Sequence, residues 1–165
     1  MGALVTVDPA WRAAVPRVVV TRDRAGRPLD GTVWGSGVAI GQRLVVTAFH
    51  VAAPGMEFRL EFPGSGVLSA RLAAAHPEAD IALLATERDL PVPPRSLALT
   101  PPPPGTTTYV IGYRPGLPDP PAARTATLAR LGMPVPLYQP YGMRAYPTLM
   151  VDSTAGGWRF RRSPS

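Results

Sequence analysis

The sequence predicts an all-β fold built from many short strands. Pro 22 and Gly 16, spread along 165 residues, leave little room for long helices. Short apolar runs recur between turn-forming segments. One of them, Met56 to Phe62, sets Met56, Phe58, Leu60 and Phe62 against Glu57, Arg59 and Glu61, the period-two pattern of a half-buried strand. A hydrophobic fraction of 45% is enough for a sizeable core.

Taken in order, residues 2 to 15 form a short N-terminal arm or a helical turn around Trp11. Arg17 to Thr21 is the first clear strand, and the turn-rich Asp23 to Gly31 follows it. Thr32 to Ile40 and Leu44 to Thr47 make a hairpin with Gly41 at the turn. After Met56 to Phe62, the turn at Pro63-Gly64-Ser65-Gly66 leads into a strand from Val67 to Ala75. Ile81 to Ala85 is short, wholly apolar and expected to be buried. About six strands in the first half suggest a small closed barrel. Pro91 to Gly105 contains PVPP and PPPP, cannot be a central strand, and reads as an extended connector. Thr106 to Tyr113, Ala123 to Leu131 and Tyr146 to Asp152 are further strands.

The chain has no cysteine, which excludes disulfides and thiolate metal sites, and His50 and His76 alone make a zinc site improbable. The net charge of +6 comes from arginine, because there is no lysine. No aromatic-basic interleaving accompanies the charge, and no stretch approaches the roughly 20 apolar residues that span a bilayer, so neither nucleic acid nor a membrane is the expected partner. Asp8, Pro9, Arg12 and Pro16 break any leader-like apolar run, so a cytoplasmic location is expected.

The stretch Gly35-Ser36-Gly37-Val38-Ala39-Ile40-Gly41-Gln42-Arg43-Leu44-Val45-Val46-Thr47-Ala48-Phe49-His50 delivers a histidine at a strand end. Imidazole is the side chain best suited to moving protons near neutral pH. His76-Pro77-Glu78-Ala79-Asp80-Ile81 places a carboxylate before the strand that starts at Ile81. Asp80 either caps its own turn or orients an imidazole. Gly35 and Gly37 suit a close approach of other groups to the backbone.

These segments, together with Val110-Ile111-Gly112-Tyr113-Arg114-Pro115-Gly116, resemble the trypsin-like, chymotrypsin-fold serine peptidases, in particular bacterial forms without disulfides. The resemblance covers about residues 31 to 157. It implies a double β-barrel whose second barrel is incomplete at the C-terminus. The implied parts are a first unit at 1–90 with the arm and a barrel carrying His50 and Asp80, a connector at 91–105, a partial second barrel at 106–157 and a basic tail at 158–165. It also implies His50 as general base and then acid, with Asp80 fixing its tautomer, in acyl transfer from a peptide or protein substrate without a cofactor or metal. A peptidase in the cytoplasm also implies control, by a regulatory partner or a switched site.

The nucleophile is the point of departure from the family pattern. Gly-x-Ser-Gly-Gly is expected, and the chain reads Ser153-Thr154-Ala155-Gly156-Gly157-Trp158-Arg159-Phe160. In one alignment Ala155 occupies the nucleophile position, with Gly156 and Gly157 in the oxyanion region. In the other, as in glutamyl-endopeptidase-like members, the serine is due about two residues after Gly157, where Arg159 and Phe160 stand. Ser153 precedes the glycine pair, and Ser163 and Ser165 lie in the tail. The arginine-, alanine-, proline- and glycine-rich composition suggests G/C-rich codons. Trp158 to Pro164 can be written in such codons so that the string reads Gly-Gly-Ser-Gly-Ala-Pro one base later, which favours the second alignment, and a frameshift near Gly157 is expected. The sequence therefore points to a serine endopeptidase family member that is inactive as written, with a peptide-binding pseudoprotease as the alternative.

Overall fold

A computed structural model describes residues 8–98, 100, 102–103 and 105–113, together with the strand residues 122–131, 135–136, 143–144 and 149–152. The first half holds the strands β1 (Arg17–Asp23), β2 (Trp34–Gly41), β3 (Leu44–Ala48), β4 (Gly55–Phe62), β5 (Gly66–His76) and β6 (Ile81–Thr86). They close into one barrel in the order β1-β2-β3-β6-β5-β4, with antiparallel pairing at every seam. A barrel leaves no free strand edge, which a six-stranded open sheet would have to protect in some other way. Two short helices accompany the barrel, α1 (Pro9–Ala13) around Trp11 and α2 (Phe49–Ala52) directly after β3.

The barrel interior is filled from every strand. Val18 and Val20, Ala39, Val45, Phe58 and Leu60, Ala70, and Ala82 and Leu84 form one buried cluster. Each fully buried Val, Leu or Phe contributes about 1.5–3 kcal/mol of apolar transfer. The barrel exterior carries ion pairs instead, such as Arg22 with Glu57 at 3.1 Å and Arg59 with Glu61 at 2.8 Å. Exposed pairs of this kind add only about 0–1 kcal/mol each, so the apolar interior holds the barrel together.

Two expectations about burial need correction. Met56 shares the apolar phase of β4 but is 45% exposed, and the adjacent Gly55 is buried in its place. The pairing of β4 with β1 shifts register between Arg22 and Asp23, opposite Gly55, so the alternation is broken there. The wholly apolar β6 is not wholly buried: Ala82, Leu84 and Thr86 face in while Ile81 is 45% exposed. A barrel strand has one inner face, and apolar residues at odd positions remain outside it.

Turn chemistry follows the sequence closely. The Asp23 carboxylate accepts from the backbone N–H groups of Ala25 and Arg27 at 2.9 Å each, and Gly26 takes φ 78° in that turn. Gln42 and Arg43 form the two-residue link between β2 and β3. The start of the connector and the residue before it pack on the barrel. Leu90 and Val92 are buried in the core, and backbone N–H groups of Leu90 and Arg95 donate to the carbonyls of Gln42 and Ala39.

The second half contains β7 (Thr107–Gly112), β8 (Ala122–Leu131), β9 (Val135–Pro136), β10 (Met143–Arg144) and β11 (Leu149–Asp152). Among the described residues these form a three-stranded antiparallel sheet, β11-β8-β7, and a β9–β10 pair, without closing a barrel. The end of β7 docks on the first barrel. The Tyr113 N–H donates to Ser36 Oγ at 2.8 Å, and the Arg17 guanidinium lies over both Trp34 and Tyr113, 5.2 and 5.0 Å from the ring centroids.

Two measurements check this account. Leu84→Ala removes a fully buried side chain from the barrel and is expected to lower stability by about 2–5 kcal/mol in urea unfolding. The Asp23 carboxyl is held below the usual carboxylate range, chiefly by the Arg27 N–H. Its contribution is therefore present above the unfolded-state pKa and lost as pH falls through the lower folded value. The stability difference between wild type and Asp23→Ala should accordingly shrink as pH drops below about 4.

Candidate active site

The pairing of β3 with β6 ends at Ala48 opposite Ile81. One residue further along each strand stand Phe49, which opens α2, and Asp80. Helix α2 has no capping side chain of its own at Ala48, so its first N–H groups need acceptors from elsewhere. Asp80 supplies them. Its carbonyl accepts from the Phe49 N–H at 3.1 Å, and its Oδ1 accepts from the His50 N–H at 2.8 Å.

The other carboxylate oxygen meets the imidazole: His50 Nδ1 lies 2.7 Å from Asp80 Oδ2. An ionised carboxylate only accepts, so Nδ1 carries a proton in this contact. In the neutral ring the lone pair is then on Nε2, the nitrogen turned away from Asp80. One carboxylate thus fixes both the backbone and the ring of the same histidine. The Asp80 side chain does not cap its own turn; the turn is closed by the Asp80 N–H donating to the Pro77 carbonyl at 3.1 Å.

The far end of α2 is also held. The Arg24 Nε–H donates to the Ala53 carbonyl at 2.7 Å, across from the turn that follows β1. Val51 packs against β2 so closely that a Cβ on Gly35 would lie 2.6 Å from Val51 Cγ2. A Cβ on Gly37 would meet Val45 Cγ1 at the same distance, so both glycines answer to close approach. Arg24 carried no signal in the sequence, because its acceptor is a main-chain carbonyl twenty-nine residues away.

Solvent reaches this end of the barrel. The His50 and Asp80 side chains are 44% and 26% exposed, and Asp80 stands just before β6, whose Ala82 and Leu84 are buried. Among the described residues no group of three or more His, Cys, Asp or Glu is placed to hold a metal. No helix among them is long and apolar enough to cross a membrane. A cavity of about 640 Å³ opens elsewhere, lined by Phe58, Ala70, Arg71, Thr86 and Arg88. It lies at the end of β6 away from Asp80 and shares no residue with the His50 site. Ala155, Gly156 and Gly157 fall outside the described residues.

Comparison with known proteins places the chain in a family. Residues 35–157 match the trypsin-like peptidase domain. No curated protein matches the chain. Among solved structures, the active form of the Rv3671c protease from M. tuberculosis is similar at 23% identity and a TM-score of 0.65, over 91% of this chain and 66% of that one. The apo MamO protease domain from Magnetospirillum magneticum is similar at 16% identity and a TM-score of 0.62, over 86% and 69%. The serine endoprotease from Yersinia pestis is similar at 21% identity and a TM-score of 0.62, over 78% and 46%. At such identities the likeness is one of fold, and this chain spans 46% to 69% of the length of these three. The fold is all-β and of the trypsin-like type, His50 and Asp80 both lie inside the matched segment, and the chain belongs to the trypsin-like peptidase family.

Proposed function

We propose that this domain is built for acyl transfer on peptide or protein substrates, as a serine endopeptidase of its family, and that the chain as written does not cleave them. The observation that supports the chemistry is the doubly bonded pair, His50 Nδ1 to Asp80 Oδ2 at 2.7 Å and the His50 N–H to Asp80 Oδ1 at 2.8 Å. With Nδ1–H held by the carboxylate, Nε2 takes the proton of an attacking hydroxyl, and Asp80 stabilises the imidazolium that forms. Nε2 then returns the proton to the leaving amine.

What supports inactivity is the sequence after Asp152. Ser153-Thr154-Ala155-Gly156-Gly157 puts a methyl group at the nucleophile position in one alignment. In the other, Arg159 and Phe160 stand where the serine is due. Neither a methyl group nor a guanidinium attacks a carbonyl. A frameshift near Gly157 accounts for the second alignment, because Trp158 to Pro164 can be written in G/C-rich codons that read Gly-Gly-Ser-Gly-Ala-Pro one base later.

A fluorophosphonate probe is expected to leave the chain as written unlabelled. It should label a version in which Gly-Gly-Ser-Gly-Ala-Pro and the strands that close the second barrel follow Gly157. In that version His50→Ala should slow labelling by at least about 10³-fold. Labelling of the unaltered chain would overturn the inactivity, and indifference to His50→Ala would overturn the mechanism. The gene sequence checks the frameshift separately: an intact frame with other codons after Gly157 excludes it.

Asp80→Ala deprives the His50 N–H of its acceptor at a half-exposed site. It should lower stability of the chain by about 0.5–1.5 kcal/mol in urea unfolding. Asp80→Asn in the serine-bearing version should keep more of that stability yet reduce turnover about 10⁴-fold, because an amide at this position selects the wrong imidazole tautomer.

A further inference from the structure

Asp80 adopts φ 55° and ψ 42°, the left-handed conformation, and it is the non-glycine residue that does so among the described residues. For a side chain with a Cβ this conformation costs about 1–2 kcal/mol, so the surrounding bonds must impose it. The bonds that follow Asp80 are the contacts with Phe49 and His50. The bonds that precede it lie in the 3₁₀ turn Pro77–Ala79, and the start of that turn is fixed by His76. The His76 Nδ1 accepts at 3.1 Å from the N–H of Ala79, the residue just before Asp80.

An imidazole here does the work that Ser, Asp or Asn does at most helix starts. The difference is that an imidazole nitrogen accepts only while it is unprotonated. Proton uptake turns Nδ1 into a second donor facing the Ala79 N–H, and the cap becomes a repulsion. Imidazoles take up protons between about pH 8 and 5, within the range most proteins meet. His76 is exposed at the end of β5, so solvent protons reach its ring.

We propose that His76 is a positioning residue for Asp80, and through it for His50, and that protonation of its ring releases the turn and loosens the His50–Asp80 contact. The functional meaning rests on the reading that this pair is the catalytic base. Among the described residues, the titratable groups on the elements next to His76 are Glu78 within the turn, Asp80 after it, and His50 on α2, which packs against β5. The two carboxylates oppose the sign of a protonated ring and His50 shares it. The test must separate the two imidazoles. Replacing His76 with Asn does so, since an amide oxygen accepts at every pH in this range.

The experiment uses the ¹⁵N-labelled chain as written, between pH 8 and 5.5. Two signals are followed: the exchange protection factor of the Ala79 amide and the His50 Nδ1 proton. In wild type, Ala79 protection should fall about fivefold or more on acidification, and the His50 Nδ1 signal should broaden with it. His76→Asn should keep Ala79 protected across the range, and any change left at His50 then belongs to its own ring. His76→Ala should lack Ala79 protection at every pH while the core valine amides stay protected, which shows that the barrel has folded. Constant Ala79 protection in wild type overturns the proposal, as does a loss in His76→Asn at the same pH as wild type. These signals do not depend on a nucleophile. Failure of the serine-bearing version to react with fluorophosphonate would sink the peptidase reading and leave the Ala79 result standing.

Discussion

The register of β3 against β6 is the constraint on which the site depends. Val45 faces Leu84, Val46 faces Leu83 and Ala48 faces Ile81, so the two strands run out together at one end of the barrel. Phe49 and Asp80 are the next residues on each side, and their backbone contact continues the ladder by one bond. A slip of one residue would turn Val45 and Leu84 out of the core, which makes the register costly to change. The core thereby sets the distance between two polar residues that take no part in it.

Helix α2 shows how a short element is held when its own sequence cannot hold it. Four residues are too few to be stable alone, and Ala48 offers no side-chain cap. Asp80 satisfies the N-terminal N–H groups, Arg24 satisfies the Ala53 carbonyl, and Val51 locks the helix against Gly35. The three clamps come from three different parts of the barrel. His50 inherits its position from all of them, and the strain at Asp80 is imposed by the same contacts that make its carboxylate useful.

Among the described residues, a stacked guanidinium and a hydrogen bond join the two halves. Arg17 lies over Trp34 of β2 and over Tyr113 at the end of β7, and Ser36 accepts from the Tyr113 N–H. Stacking of a guanidinium on two rings adds about 0.5–1 kcal/mol at each when exposed and more when desolvated. Tyr113 is 8% exposed, which favours the larger value. Ser36 belongs to the Gly-Ser-Gly stretch at the start of β2, so the segment that crowds against α2 also anchors the second half.

Local pattern determined much of this protein by itself. Each expected strand from Arg17 to Asp152 coincides with a strand in the structure to within a few residues, because turn glycines, prolines and β-branched runs act over short ranges. The segments around His50 and Asp80 were legible as a pair through their family pattern. The strands β9 and β10 were not, since two-residue pairings leave no periodicity to read. Only the tertiary structure decided the rest. Closure of β1 on β4, burial of Val92 from the proline-rich connector, the clamp from Arg24 and the left-handed Asp80 depend on groups far apart in sequence. The sequence named His50 and Asp80 as candidates. Their 2.7 Å contact is a product of the β3–β6 pairing, which brings together residues that thirty positions of chain would otherwise leave apart.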